Sequence, residues 1–345
     1  MFVVRPVKKD DLDQVYELSS LVTIGMTTLP NDRKVLERRI KLSVRSFESK
    51  PDKPGGEIFF FVIEDIDKKK IVGTCAVFSK VGGFQPFYTY KIETMSTASK
   101  LLGVGKEIKY LQLMMDHDGP SEIATLFLSP QHQKSGLGRL LSLSRFLFIA
   151  QYPECFEPVV ISEMRGVIDK DGGTPFWEAV GKHFFEMDFK KADLMVMHDK
   201  SFIADLMPKF PIYVPLLPKE AQEVIGKTHE ETHPALHVLE QEGFVFKNEI
   251  DIFEAGPVMS AVIENIRTVR ESKTATVKEI VSQPIPPEIY MIANVNDFEA
   301  FRVTQGGLLI NSEESVNLTE EVAKVIRVKK NDTIRFALLK PRKNL

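Results

Sequence analysis

The chain has 345 residues, of which 43% are hydrophobic and 27% charged, and its formal net charge is −3. This is the composition of an ordinary globular protein with room for more than one domain. The small negative charge gives no electrostatic basis for binding nucleic acid or an anionic membrane surface. Two cysteines, Cys75 and Cys155, do not make a disulfide framework, so we expect a reducing compartment.

The first residues are charged and lack the apolar core of a signal peptide, and no apolar run approaches the ~20 residues of a membrane span. We therefore expect a cytoplasmic protein that does not enter a membrane. The N-terminal third alternates β-prone runs with helical periodicity and polar turns. Its predicted order is a strand at 2–7, helices after residues 10–13 and after the capping pair Asn31 and Asp32, and strands at 58–63, 71–78 and 88–93.

Residues 126–141 predict a strand, a glycine turn and a helix. The apolar run 125–128 is long enough for a buried strand, and Pro130 ends it because proline cannot donate to a ladder. The turn contains Gln133, Gly136 and Gly138, after which apolar residues recur at helical intervals. A glycine turn at a helix N-terminus directs free backbone N–H groups at one point and favours a phosphate there.

A lone Gly-x-Gly at a helix entry is more often a simple turn than a binding site. This one also lacks the Lys-Ser/Thr of a nucleotide P-loop and the third glycine of a dinucleotide fingerprint. The apolar strand before the turn and the long apolar helix after it favour a binding site over a simple turn. Together they resemble the coenzyme A pyrophosphate loop of the GNAT acyltransferases, and the strand and helix order of residues 1–141 is the GNAT order.

The rest of the chain continues as α/β and ends in a β-rich tail. A strand at 159–162, helices at 175–185, 199–207, 220–226 and 234–242, and a strand pair or bent strand at 244–253 are predicted. From residue 274 short strands alternate with turns, with one helix at 320–328. The predicted fold class is a GNAT-like mixed α/β sheet with flanking helices. Its predicted parts are an acyl-CoA-binding domain at 1–155, a second α/β half at 156–272 that completes the active site, and a small β-rich subdomain at 273–345.

Several polar residues are candidates for chemistry. Glu122, Glu163 and Arg165 lie at strand ends beside glycine- or proline-containing turns, where open α/β sheets often border a ligand. A local ion pair at a surface turn is the simpler reading of Glu163 and Arg165. The 116–118 run, Asp-His-Asp, is either a histidine oriented by a carboxylate or a polar loop.

Three of the seven histidines, His229, His233 and His237, are spaced by four residues. On one continuous helix they would share a face and could hold zinc. Pro234 would break or begin a helix inside this triplet, and no cysteine is near, so we predict no metal. The spacing alone does not select a catalytic histidine.

The sequence also resembles the arginine N-succinyltransferases, bacterial enzymes that begin an ammonia-producing route of arginine catabolism. The matching segments are spread over residues 1–272 and are jointly far more specific than the glycine turn. They lie at 5–7, 28–30, 121–122, 125–128, 138–146, 163–167, 175–177, 187–189, 202–204, 206–208, 211–213, 221–222, 224–226, 242–244, 251–253 and 256–257.

The resemblance implies transfer of succinyl from succinyl-CoA, as a co-substrate and not a resident cofactor, to the α-amino group of L-arginine. It implies that Leu126 contacts succinyl-CoA and that His229 is the proton donor. L-ornithine stays open as an acceptor, because Ser129, Glu230 and the segment 114–118, interpreted as a loop, depart from the family pattern. Glu122 or Glu163 is expected to act as the base, and a homo-oligomer or a hetero-oligomer with a paralogous subunit is expected.

Three other functions remain open at this stage. The first is a GNAT acetyltransferase for another amine. The second is a regulatory protein that binds CoA or an amino acid without catalysis, and the third is a zinc hydrolase built on the histidine triplet.

Overall fold

The structure is a computed structural model that describes residues 1–22, 26–133, 135–169, 172–196, 200–283, 285 and 288–341, with the side chain of residue 84 left out. Lys134 of the glycine turn and His198 lie outside the described residues. The helices are α1 Leu12–Ser19, α2 Arg33–Ser49, α3 Leu137–Gln151, α4 Pro175–Ala179, α5 Gly181–Phe185, α6 Phe189–Val196, α7 Ser201–Leu206, α8 Lys219–Val224, α9 His233–Gln241, α10 Arg267–Glu271 and α11 Glu320–Ile326.

Strands from all parts of the described chain join one mixed sheet. Their order across it is β14-β15-β11-β16-β12-β13-β1-β2-β3-β6-β7-β10-β9-β4-β5-β8. The strands are β1 Phe2–Pro6, β2 Ile58–Asp65, β3 Lys70–Phe78, β4 Gly82–Ser99, β5 Val104–Asp118, β6 Ser121–Leu128, β7 Val159–Glu163, β8 Ile212–Tyr213, β9 Val245–Ile250, β10 Pro257–Val262, β11 Lys273–Val281, β12 Tyr290–Asn294, β13 Arg302–Gly306, β14 Leu308–Ser312, β15 Ser315–Thr319 and β16 Thr333–Leu338.

Helix α3 is the centre of the largest core cluster. It contacts β3 and β6 on one side and β12, β13 and β16 of the C-terminal region on another, so the sheet curves around it. A helix that is apolar around most of its circumference has to be buried in this way. Phe148 contacts a group of aromatic rings that seal this core, namely Phe47, Phe59, Phe61, Tyr152, Phe156, Phe298 and Phe301.

The opposite face of the sheet carries α1 and α2. Asp32 caps α2, because its carboxylate accepts from the N–H groups of Lys34 and Val35 at 2.8 and 3.0 Å. Leu36 and Ile40 of α2 are buried with Phe60 and Ala76 of the sheet. The predicted pair of helices and the hairpin of β2 and β3 are therefore confirmed.

Two local predictions were wrong. Residues 114–118, predicted as a loop, belong to β5, which pairs with β4 along almost its whole length. The single helix predicted for residues 175–185 is broken into α4 and α5, because Val180 between them leaves helical geometry at φ −127° and ψ −74°. The secondary-structure propensities of the residues did not reveal either feature. Long-range strand pairing decides the extent of β5, and packing around Trp177 decides the break between α4 and α5.

The C-terminal region extends the same sheet. Strand β13 pairs antiparallel with β1 through Val4 and Val303, and Thr304 donates to the Phe2 carbonyl at 2.7 Å. Val3 of β1 is buried in a cluster otherwise built by residues 275–336. The boundary of a separate C-terminal subdomain at residue 273 stays a prediction. Strands from before and after this residue, β1 and β13, pair directly in the one sheet.

Candidate active site

The site is built where two parallel strands part. Strands β6 and β7 pair at Ser121 with Val160 and at Glu122 with Ile161. Beyond this point β6 continues along β3, as far as Leu128, whereas β7 continues along β10. The carboxyl ends of the two strands therefore leave an opening between them. Leu126 lies on its β6 side and Glu163 on its β7 side.

A bulge marks the point where β6 leaves its partner. Thr125 has a left-handed φ of +59°, and the register with β3 shifts between Thr74 and Ala76. Thr74 donates its hydroxyl to the Thr125 carbonyl at 3.0 Å, and the buried Arg145 of α3 donates to the Ala124 carbonyl at 3.3 Å. These two contacts hold the strained backbone beside Leu126 in place.

The glycine turn follows directly from β6 and opens α3. Gly136 precedes the helix at φ +85°, a conformation that glycine adopts at little cost. A side chain on Gly138 would meet only the Leu128 side chain at 3.9 Å, so packing with the described residues does not require a glycine there. Gln133 is exposed and donates to the Leu128 carbonyl at 3.4 Å. The predicted strand, turn and helix are confirmed, while the ligand of the turn stays a prediction.

Carboxylates gather on the other side of the opening. Glu122 and Ile161 are register partners, and Glu163 lies two residues beyond Ile161, so Glu122 and Glu163 point to the same face of the sheet. Asp251, after β9, accepts from the N–H groups of Phe253 and Glu254 at 2.8 and 2.6 Å.

This group of acids continues into the neighbouring loop. The carboxylate of Glu254 accepts from the Gly166 N–H at 2.7 Å, and Asp193 of α6 faces Asp251 and Glu254. We call Glu122, Glu163, Asp193, Asp251 and Glu254 the acidic cleft.

Desolvation and mutual repulsion raise the pKa values of these acids. Burial is the largest cause for every one of them. Desolvation by the surrounding protein, followed by the like charges of Glu122, Asp251 and Glu254, raises the pKa of Glu163 well above its usual range, and the residue stays partly open to solvent within the cleft. The pKa of Asp193 rises to about 7. The carboxyl groups of the cleft can therefore hold a proton more readily than free carboxylates do, or bind a positively charged group.

Three cations border the acidic cleft. Arg39 of α2 faces Glu122 and donates to the Thr27 carbonyl at 2.8 Å, and burial lowers its pKa to about 10. Lys200, at the start of α7, favours the ionised forms of Glu122, Glu163 and Asp251. Arg165 favours the ionised forms of Asp193 and Glu254. Both signs of charge are therefore available to a zwitterionic ligand.

His229 lies beside the turn that follows β7. Its backbone N–H donates to the Arg165 carbonyl at 2.8 Å, and its Nδ1 accepts from the Glu231 N–H at 3.2 Å. The neutral imidazole consequently carries its proton on Nε2. The side chain is 23% exposed. The structure thus brings His229 next to Arg165, two residues beyond Glu163, although the histidine is distant from both in sequence.

A cavity of ≈ 970 Å³ opens at His229. Its wall comes from the loop 226–230, from α9 and from strands β9 and β10, and it includes the apolar side chains of Leu236, Phe244, Phe246 and Met259. This volume and the mostly apolar wall suit a cofactor-sized ligand. Leu126, Gln133, Gly136 and Gly138 are not among the residues that line this cavity; they lie at the end of β6, in the turn after it and at the start of α3.

The histidine triplet is split between two elements. His229 precedes the 3-10 turn Glu230–Thr232, whereas His233 begins α9 and His237 lies within it. His237 is paired with Gln241 at 2.7 Å, and within the described part of the chain no three His, Cys, Asp or Glu side chains have the arrangement of a metal site. His117 contacts the Gly83 carbonyl at 2.8 Å on the β5 ribbon.

Sequence reasoning missed much of the acidic cleft. Asp251 and Asp193 were not singled out as site residues, and nor were Glu254, Lys200 and Arg39. Asp251 follows β9 immediately and Glu254 lies in the same turn, and a position at a strand end is the signal that had marked Glu163. Asp193 and Lys200 come from a segment whose helices are short, so only the tertiary fold brings them to the sheet.

The arrangement of strands defines the class of protein. An antiparallel meander leads to two parallel strands that part at a bulge, and a glycine turn then opens the central helix. This is the fold of the GNAT acyltransferases, which take an acyl group from an acyl-CoA.

Comparison with known proteins gives the particular family. Residues 2–268 match the AstA family, described as arginine N-succinyltransferase beta subunit. The chain is 41% identical to an arginine N-succinyltransferase of Yersinia pestis and 40% identical to one of Escherichia coli, with 98% of each chain covered. The solved structure of arginine/ornithine succinyltransferase subunit AI from Pseudomonas aeruginosa superimposes with a TM-score of 0.89 at 32% identity, covering 99% of both chains. The chain belongs to the arginine N-succinyltransferase family.

Proposed function

We propose that this protein transfers the succinyl group of succinyl-CoA to the α-amino group of L-arginine. The amine nitrogen attacks the thioester carbonyl, the carbon–sulfur bond breaks, and N2-succinyl-L-arginine and CoA are released. The observation that supports this best is the opening between β6 and β7, which has a glycine turn at one end and the acidic cleft at its side. The full-length similarity to arginine N-succinyltransferases supports the choice of substrates.

The CoA half of the site follows the parting strands. The pyrophosphate binds the N–H groups of the turn formed by Gln133, Gly136 and Gly138, where the α3 dipole adds positive potential. The pantetheine chain enters between β6 and β7 and brings the thioester to Leu126. Backbone N–H groups near the Thr125 bulge then stabilise the oxyanion, an effect typically worth ~3–4 kcal/mol per donor.

The acceptor half is the acidic cleft. A planar guanidinium pairs bidentately with a carboxylate, and several carboxylates of the cleft are within reach of one another. Arg165 and Lys200 supply positive charge for the carboxylates of the two substrates. L-ornithine, with a terminal ammonium in place of the guanidinium, is the second candidate acceptor, and the similarity to an arginine/ornithine enzyme favours testing it.

Two groups transfer the protons. Glu163, with a raised pKa in an open cleft, or the neighbouring Glu122 takes a proton from the incoming ammonium. His229, in its imidazolium form, gives a proton from Nε2 to the departing CoA thiolate and is left as a neutral imidazole. Glu163→Gln should lower kcat by about 10²- to 10⁴-fold, whereas Glu279→Gln on the exposed side of β11 should leave kcat unchanged. Equal rates for the two variants would exclude Glu163 as the base.

The experiment that tests the function is a panel of donors and acceptors. Release of the CoA thiol is followed with succinyl-CoA or acetyl-CoA against L-arginine, L-ornithine and L-lysine. The proposal expects the highest kcat/KM for succinyl-CoA with L-arginine. A higher value for acetyl-CoA would indicate a different acyltransferase, and ligand binding by calorimetry without thiol release would indicate a binding protein.

We also propose that the protein works in the cytoplasm and as an oligomer. Acyl-CoA substrates and two buried, unbonded cysteines agree with a reducing compartment. No helix in the described ranges is long and apolar enough to span a membrane. The similar Pseudomonas aeruginosa chain is a subunit of an assembly, which supports an oligomer of this chain or one with a paralogous subunit.

A further inference from the structure

Arg39 carries a positive charge that no acid pairs with directly. Its guanidinium donates to the Thr27 carbonyl at 2.8 Å, a contact that uses only one of its N–H donors. Among the residues that the structure describes, no carboxylate lies within ion-pair distance of it. Burial opposes its charge and lowers its pKa to about 10. A desolvated charge without a partner is costly, so the arrangement points to a ligand that supplies the anion.

The packing of α2 fixes where Arg39 lies over the sheet. Ser43, one helical turn further along α2, accepts from the Phe60 N–H of β2 at 2.9 Å. Phe60 pairs with Ala76 of β3, and Ala76 pairs with Ala124 of β6, the residue before the bulge. One turn of helix covers about 5.4 Å along its axis. Arg39 therefore lies near the level at which β6 parts from β7.

Arg39 and Lys200 stand on different sides of the opening. Glu122 of β6 is the acid whose charge acts on Arg39, from beyond ion-pair distance. Lys200 acts on Glu122 too, but also on Glu163 and Asp251, which follow from β7 and β9. Burial raises the pKa of Glu122, so this carboxyl gives Arg39 little compensating charge. The guanidinium is therefore available to an anion that arrives on the β6 side.

The acyl end of a bound donor reaches the face of the sheet that carries Arg39. Ile123 of β6 packs with α3 on one face, and Phe127 packs with α2 on the other. With the pyrophosphate at the turn before α3 and the pantetheine between β6 and β7, the acyl group emerges towards α2. The succinyl group ends in a carboxylate, whereas acetyl and other simple acyl groups end in a methyl group. Succinyl-CoA thus brings an anion to the side of the sheet where Arg39 lacks one.

We propose that Arg39 binds the terminal carboxylate of the succinyl group and selects succinyl-CoA over acyl donors that lack this charge. This inference rests on the proposed function. A guanidinium pairs bidentately with a carboxylate, and the Thr27 carbonyl holds the fork in one orientation while leaving its other donors to the ligand. A donor without the carboxylate would leave the buried charge unpaired, which is how a polar site rejects an uncharged analogue. Lys200 and Arg165 stay with the acids of the acceptor half.

Donor preference tests the assignment. With L-arginine as acceptor, kcat/KM is measured for succinyl-CoA and for butyryl-CoA, in which a methyl group replaces the carboxylate. Arg39→Met, of similar length but uncharged, should lower the ratio of the two values about 100-fold, mostly through succinyl-CoA. Arg39→Lys keeps the charge without the fork and should give an intermediate ratio. The control Arg38→Met, at an exposed position of the same helix, should keep the wild-type ratio.

A second comparison separates the two substrate carboxylates. With succinyl-CoA as donor, the preference for L-arginine over agmatine, which is arginine without its carboxylate, should be the same in Arg39→Met and wild type. Loss of this preference would assign Arg39 to the acceptor instead, and an unchanged donor ratio in Arg39→Met would overturn the proposal outright. Melting temperatures show whether the variants fold, and Arg39→Gln repeats the test if Arg39→Met does not. A wild type that does not use succinyl-CoA would overturn the proposed function together with this inference.

Discussion

At the scale of single residues, hydrogen bonds with the backbone fix the position of His229, and His233 and His237 take no part in them. Its N–H is bonded to the Arg165 carbonyl, and its Nδ1 is occupied by the Glu231 N–H. The ring lines the cavity, and the Glu231 carboxylate lies 3.9 Å from its Nδ1. Sequence similarity had named this residue, whereas the spacing of His229, His233 and His237 had suggested a metal site that the fold separates.

His229→Ala should lower kcat by about 10²- to 10⁴-fold and leave the affinity for succinyl-CoA nearly unchanged, because proton donation is needed only as the thiolate departs. Steady-state kinetics and calorimetric titration with succinyl-CoA measure the two quantities. His237→Ala, a change of an exposed histidine in the same region, is the matched control and should keep full activity. A kcat for His229→Ala equal to that of the control would remove His229 from the mechanism.

Asp193 should make stability depend on pH. Its pKa is about 7 in the fold, against a usual value of 3.8, since burial and Asp251 disfavour its charge. The folded state therefore holds this proton more tightly, and the stabilisation is complete below pH 3.8 and lost as pH rises through about 7. For one proton the loss reaches at most about 1.4 kcal/mol per pH unit, and partial contact with solvent and Arg165 reduces it.

Asp193→Asn keeps the neutral shape at every pH and removes this dependence. From pH 5 to pH 8 its free energy of unfolding should gain about 1–3 kcal/mol relative to wild type. Urea denaturation at intervals of one pH unit measures this difference. The exposed Asp10→Asn serves as control and should follow the wild-type profile. Parallel profiles for Asp193→Asn and wild type would show that Asp193 is ionised in the fold.

At the scale of elements, the two glycines of the turn before α3 differ in their backbone conformation and surroundings. Gly136 has a positive φ, so a side chain there is strained whatever the turn binds. Gly138 has an ordinary φ and open space around it, so nothing in the local packing requires glycine. The proposed CoA pyrophosphate site gives a testable reason for a glycine at that position.

Gly138→Ala should thus leave the melting temperature unchanged or slightly raise it, since alanine favours a helix by about 1 kcal/mol over glycine. The KM for succinyl-CoA should rise at least about tenfold, the equivalent of 1.4 kcal/mol of lost binding, while kcat at saturation changes little. Differential scanning calorimetry and initial rates give both values. An unchanged KM would place the pyrophosphate elsewhere.

At the scale of the whole molecule, a buried ion pair ties the end of α9 to α10 and to the last strand. Arg267 donates to Glu242 at 2.6 and 2.9 Å and to the Leu338 carbonyl at 3.3 Å. Glu242 is fully buried and also accepts from the Thr268 N–H at 2.7 Å. Glu242 belongs to a segment that carried the family resemblance, and its role in the structure is to hold the C-terminal region against the core.

Glu242→Gln removes the charge that balances the buried Arg267. Breaking a buried pair on one side typically costs about 3–5 kcal/mol, so the urea midpoint should fall steeply. Arg267 also contacts the half-exposed Glu271, and Glu271→Gln should cost no more than about 1 kcal/mol. Similar losses in the two variants would mean that the buried pair does not hold the region together.

The sequence by itself determined the local elements and the class of chemistry. The strand at 125–128, the glycine turn and the apolar helix after it could be predicted because hydrophobic periodicity and turn residues act over a few positions. The order of the first elements indicated the GNAT fold, and dispersed matching segments indicated the family. For the same reason, long β5 and the broken helix at Val180 were not predictable, since distant partners decide them.

The tertiary structure alone decided which charges meet. Glu122, Glu163 and Asp193 come from three separate segments, Asp251 and Glu254 come together from a fourth, and no local pattern relates the four segments. Their grouping depends on the register of β6 with β7 and on the path of the chain after β9. The raised pKa values follow from that proximity and from desolvation, which are properties of the folded state.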